Sequence, residues 1–167
     1  MAEWPEFRPT ALLQQLVANG VDFVVVGGLA AVVHGSVTNT YDLDVTYASG
    51  AENLDRLGRA LIALDARLRG VTDDVPFIPD GRTLRRTRVL TLDTPDGPID
   101  VLAAPDGSPS YDTLRERASL TELAGVEVRI ASLDDLIAMK KAAGRPKDLV
   151  AVEELEAIQR LQRERGG

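Results

Sequence analysis

Residues 21–47 read VDFVVVGGLAAVVHGSVTNTYDLDVTY, and the punctuation of that stretch decides the fold. Val21 to Val26 is a short, nearly continuous apolar run rich in valine, the pattern of a buried strand. Gly27-Gly28 ends it, and Leu29 to His34, small and apolar, predicts a short helix closed by Gly35. From Tyr41 to Tyr47 the pattern becomes alternation. Leu43 and Val45 fall on one face, and Asp42, Asp44 and Thr46 fall on the other. One short segment therefore holds a strand, a glycine turn into a helix, and a second strand with two carboxylates on one side.

The flanking sequence extends this pattern. Leu12, Leu13, Leu16 and Val17 give a helical stripe that stops at Asn19-Gly20. Leu54, Leu57, Leu61, Leu64 and Leu68 give another, expected to run to Gly70. Thr72 to Gly81, with two prolines, reads as loop. Arg88 to Asp93 and Pro98 to Ala103 predict a hairpin around Thr94-Pro95-Asp96-Gly97. Pro105 to Pro109 is a second loop, and Tyr111 to Ala118 reads as a helix. Val126 to Ile130 is the last strand. Ser132 opens a helix with Asp135 placed as a capping-box acid, and Gly144-Arg145-Pro146 breaks it. Leu149, Val152, Leu155, Ile158 and Leu161 stripe the next helix, and the polar tail after Arg160 is expected to fray. Strands interleaved with helices indicate an α/β fold: one domain over residues 1–167, a mixed sheet flanked by helices, with C-terminal helices from about residue 132.

Composition excludes several chemistries. The 167 residues contain no cysteine and a single histidine, His34. Thiolate zinc sites, multi-histidine zinc sites and a cysteine nucleophile are therefore out. Carboxylates are plentiful, and oxygen ligands suit Mg²⁺ or Mn²⁺. The formal net charge of −7 argues against a broad grip on nucleic acid, although Arg82, Arg85, Arg86 and Arg88 form a local basic cluster. The most apolar stretch, Val21 to Val33, is too short to span a membrane. Met1-Ala2-Glu3-Trp4-Pro5 lacks the order of a secretory signal, so a cytoplasmic location is expected.

The candidate chemistry starts from Asp42 and Asp44. Two carboxylates side by side repel unless a cation lies between them, although a charged strand face is also a common way to protect an edge. The Gly27-Gly28 turn opens a helix whose free amides suit a phosphate, and Ser36 and Thr40 add hydroxyls. Lys140 falls near the centre of the stripe set by Leu133, Leu136 and Ile137, so its ammonium needs an anion or a route to water. Asp148 lies in the first turn after Pro146, where the helix dipole already favours a carboxylate.

Gly27-Gly28 followed, after thirteen residues, by Asp42-Leu43-Asp44 resembles the signature of the DNA polymerase beta-type nucleotidyltransferases. Gly27-Gly28-Leu29-Ala30-Ala31, His34-Gly35-Ser36 and Thr40-Tyr41-Asp42-Leu43-Asp44 are similar to the small bacterial members related to the AbiEii-type toxins. The likeness reaches through Asp100 to Lys140 and Asp148. Thr38 departs from it, since relatives often carry arginine there, as does Tyr41, where they carry a basic or polar residue. The resemblance implies a metal-dependent enzyme in which two aspartates of one strand and one of a neighbour hold two Mg²⁺ (or Mn²⁺) ions. It places the third carboxylate at Asp100, a functional lysine at Lys140 and a functional acid at Asp148. The local pattern agrees for Asp100, since Ile99 and Val101 facing the core leave it on the opposite side.

On this reading Asp42, Asp44, Asp100, Lys140 and Asp148 are the catalytic set. Gly27, Gly28, Ser36, Thr40, Lys140 and Arg145 bind a nucleoside triphosphate. The acceptor hydroxyl stays open. A toxin-like enzyme would modify RNA, at the tRNA 3′ end, and have a cognate antitoxin protein. The alternatives are adenylylation of a small molecule or protein, or a non-catalytic binding protein on the same fold.

Overall fold

The computed structural model describes residues 6–71, 77, 79–123 and 125–166. Most of the expected loop over 72–81, and the N-terminal five residues, lie outside the described residues. The helices are α1 (Pro9–Ala18), α2 (Gly27–His34), α3 (Ala51–Ala63), α4 (Gly81–Arg86), α5 (Tyr111–Arg117), α6 (Leu133–Ala143) and α7 (Pro146–Gly166). The strands are β1 (Phe23–Val26), β2 (Leu43–Tyr47), β3 (Arg67–Leu68), β4 (Val89–Thr94), β5 (Gly97–Leu102), β6 (Ser119–Leu123) and β7 (Val126–Ile130). They form one mixed sheet of seven strands in the order β3-β4-β5-β2-β1-β7-β6. β1 pairs antiparallel with β2 and parallel with β7, and β2 pairs parallel with β5.

Alternation assigns the two faces. Leu43, Val45, Leu90, Leu92, Ile99 and Val101 are buried on one of them. α1 and α3 cover that face with Leu12, Leu13, Leu16, Leu54, Leu57 and Leu61, all essentially fully buried. Each such leucine contributes roughly 1.5–3 kcal/mol of apolar burial. α2, α6 and α7 stand on the other face. α2 packs there against β1 and β2. Among the described residues, Val89 and Thr91 on the β4 part of that face are exposed, leaving a half-bare shelf beside β2 and β5.

Three expectations are corrected and one strand is added. The stripe expected to run from Leu54 to Leu68 as one helix stops at Ala63, because Asp65 takes a left-handed φ of 52°. The chain then reverses into edge strand β3, where Leu68 pairs with Leu92. β6, unmarked by strong alternation, pairs along the whole of β7. The C-terminal helix does not fray after Arg160 but continues to Gly166. Ser132 caps α6 as expected, accepting from the Asp135 amide at 3.2 Å. The Asp135 carboxylate turns instead to Arg117, 3.0 Å away.

Candidate active site

Register assembles the site. Val26 of β1 lies opposite Asp44 of β2, and Asp44 lies opposite Asp100 of β5. Asp42, just before β2, shares the face of Asp44. One oxygen from each of Asp42, Asp44 and Asp100 lies within 4.8 Å of the others, and all three residues are half-buried. Burial, followed by the charges of Asp42 and Asp100, pushes the Asp44 carboxyl up to about 7. Burial also raises Asp100, against the downward pull of the Arg69 guanidinium beside it. The donors are carboxylate oxygens without nitrogen or sulfur, a set that fits a hard divalent cation such as Mg²⁺ or Mn²⁺.

The glycine turn is packed against this cluster. Gly27 has φ +69°, and a Cβ there would stand 2.0 Å from Asp44 Oδ2. A Cβ on Gly28 would meet Thr40 Oγ1 at 2.8 Å. Backbone therefore passes where no side chain fits. No side chain caps the N-terminus of α2, so its first amides remain open to an anion. Thr40 hydrogen-bonds the Asp42 carbonyl at 3.2 Å and steadies the approach to β2.

α6 and α7 bring a cationic wall to the same place. Lys140 Nζ lies 3.5 Å from Asp148 Oδ1, and its side chain remains 31% exposed. Asp148 is only 1% exposed. It also accepts from Arg145 Nε at 2.6 Å and from the Arg145 backbone amide at 3.2 Å. The bond from Arg145 lowers its carboxyl below the usual value. With its oxygens so engaged, Asp148 anchors Lys140 and Arg145. These elements enclose a cleft of about 830 Å³ lined by all three aspartates, Gly28, Thr40, Lys140, Arg145, Lys147 and Asp148. A smaller apolar hollow of about 290 Å³, walled by Leu102, Met139 and Ala143, opens beside Asp44.

Other expected residues lie elsewhere. Ser36 is buried and its hydroxyl bonds Glu154 of α7, in a hollow of about 70 Å³ that shares Gly28, Thr38 and Lys140 with the cleft. It braces α7 and does not line the cleft. His34 bonds the Ala131 carbonyl through Nε2 at 2.8 Å, a packed helix-end contact. Arg82, Arg85 and Arg86 gather with Ala51 and Asp55 around a hollow of the α3–α4 layer, and neither they nor Arg88 line the cleft. Arg69 had no signal in the sequence, since it sat at the end of what read as a leucine-striped helix. It reaches Asp100 at 2.9 Å, Asp93 at 3.1 Å and the Leu92 carbonyl at 3.0 Å.

Solved structures share this mixed sheet flanked by helices. The lincosamide antibiotic adenylyltransferase LnuA, lincomycin-bound, is similar with a TM-score of 0.59 and 13% identity, over 90% of this chain and 95% of that one. ANT(2'')-Ia in complex with adenylyl-2''-tobramycin is similar with a TM-score of 0.53 and 18% identity, over 95% and 99%. Among curated proteins, none matches the chain by sequence. The chain belongs to the family described as nucleotidyltransferase of unknown function (DUF6036), matched over residues 10–165.

Proposed function

We propose that the protein moves a nucleoside monophosphate from a nucleoside triphosphate to the hydroxyl of a small acceptor. The observation that carries this is the packing of three carboxylates against the Gly27-Gly28 turn at the floor of a cleft. Asp42, Asp44 and Asp100 would hold Mg²⁺ or Mn²⁺, which when bound supplies charge neutralisation and Lewis acidity. The Gly27 and Gly28 amides, Thr40, Lys140 and Arg145 hold the phosphates, with Lys140 facing the charge that develops on pyrophosphate. The acceptor oxygen forms a bond to the α-phosphorus as the bond to the pyrophosphate oxygen breaks. Asp100 takes the proton from the acceptor hydroxyl.

A small acceptor is favoured over RNA by four observations. The cleft of about 830 Å³ has the size of a small-molecule site. The arginines of α4 lie apart from it, and the net charge is −7. Both LnuA and ANT(2'')-Ia, which share the fold, are described with bound antibiotic or its adenylylated product.

The RNA reading, with modification of the tRNA 3′ end and a cognate antitoxin, is its rival. The test incubates the protein and Mg²⁺ with each labelled nucleoside triphosphate, against total tRNA and a panel of hydroxylated small molecules. Label on a small compound and none on tRNA is expected. Label on tRNA alone would replace the acceptor and keep the chemistry. Label on neither, with no pyrophosphate release, would leave a binding protein on this fold.

A further inference from the structure

β3 is two residues long and stands at the sheet edge, yet the residue that follows it, Arg69, has one of the most connected side chains near the cleft. The Arg69 amide continues the pairing by donating to the Thr91 carbonyl at 3.0 Å, and Gly70, with φ +77°, turns the chain away. From that position the guanidinium crosses β4 to β5. Nε donates to Asp93 Oδ1, while Nη2 donates to the Leu92 carbonyl and to Asp100 Oδ1. A planar fork held at three points has one orientation.

This end of the cleft lies across the triad from Lys140, Arg145 and Lys147. Arg69, Asp93, Pro98 and Asp100 line it. The groups proposed above to hold the phosphates come from the start of α2, the segment before β2, α6 and the residue before α7, and none of them from β3, β4 or β5. Arg69 therefore belongs to the side from which an acceptor approaches.

We propose that Arg69 is the positioning residue of the acceptor side: by gripping Oδ1 of Asp100 it fixes that carboxylate and leaves Oδ2 as the oxygen presented to the acceptor hydroxyl. This rests on the nucleotidyl-transfer reading above. Arg69 does two separable things. Its geometry holds Asp100 still, and misplacement of a reacting group by about 1 Å costs on the order of a hundredfold in rate. Its charge offsets a cluster of three carboxylates and so opposes cation binding there.

The two effects have opposite signs when Arg69 is lost, and that makes them testable. Mn²⁺ binding to the nucleotide-free protein is measured by electron paramagnetic resonance. Pyrophosphate release from ATP, with water as acceptor, is measured beside it. Wild-type protein that binds Mn²⁺ but releases no pyrophosphate from any nucleoside triphosphate, with any acceptor, would fail the parent reading and this one with it. With wild-type turnover established, Arg69→Gln should bind Mn²⁺ about threefold tighter or more while kcat falls at least tenfold and KM for ATP changes less than twofold. Arg69→Lys keeps the charge but cannot make the forked contacts. Its Mn²⁺ affinity should stay near wild type while kcat still falls. Asp93→Asn, which loosens the far grip on Arg69, should lower kcat by a smaller factor. Unchanged kcat in Arg69→Gln, or full activity in Arg69→Lys, would overturn the proposal. So would weaker Mn²⁺ binding together with lower kcat, which marks a damaged site instead of a mispositioned group.

Discussion

Asp44 sits under strain of charge: it is half-buried, opposite Asp100 and beside Asp42, with its carboxyl pushed up to about 7. An unfolded chain returns it to the ordinary value of 3.8. Between those values the folded state binds more protons than the unfolded one, so stability without divalent cations falls as pH rises through that window. It then stays low above about pH 7. Asp44→Asn removes this liability. In EDTA at pH 8 the variant should be more stable than wild type by on the order of 1–2 kcal/mol, a few degrees in melting temperature. At pH 4 the two should melt alike. Transfer should nevertheless be abolished, because the ligand is gone. Thermal melts across pH decide it, and equal melting at pH 8 would remove the repulsion from the account. The triad was legible at this scale because strand alternation and the spacing of Asp42 and Asp44 leave little choice of face. Arg69 was not, since one arginine after a leucine stripe carries no pattern.

α6 and α7 meet through a buried carboxylate, and the pairing explains why a lysine lies on an apolar stripe. Asp148 is buried and doubly held by Arg145 and Lys140. Removing Lys140 leaves Arg145 in place, so the buried charge keeps a partner. Lys140→Met should therefore change melting temperature little while lowering transfer at least tenfold, about 1.4 kcal/mol of transition-state stabilisation. Steady-state kinetics beside a melt would show it, and unchanged kinetics would leave Lys140 a packing residue. The strong elements could be read from periodicity: β1, β2, the β4–β5 hairpin, β7 and the helices α1, α3, α6 and α7. The failures have local causes. Leu64 and Leu68 keep helical spacing by coincidence across the left-handed Asp65, and a two-residue edge strand such as β3 is too short to show a period. β6 is a solvent-facing edge whose side chains are mostly not buried, so its alternation has no apolar contrast.

At the scale of the molecule, charge is distributed unevenly. The net charge is −7, while Lys140, Arg145 and Lys147 line one end of the cleft and the α4 arginines occupy a different layer. If the acceptor is small, replacing Arg85 and Arg86 together with Gln should leave turnover and nucleotide KM within twofold. If RNA is bound through them, the same change should flatten the salt dependence of RNA binding by a log–log slope of roughly 0.7 per lost contact. Binding isotherms at several salt concentrations separate the cases. The contact between Gly27 and Asp44 bears on ancestry as well. These positions, seventeen residues apart in the chain, exclude each other's side chains, because a Cβ at one lands on a carboxylate oxygen of the other. A descendant that lost only the carboxylate would still hold the β-carbon of residue 44 at 2.9 Å from any Cβ at 27. Position 27 therefore stays closed until residue 44 becomes glycine or the strand itself shifts. The glycine outlasts the aspartate it faces, and a side chain at position 27 marks a lineage in which this corner of the sheet has been rebuilt.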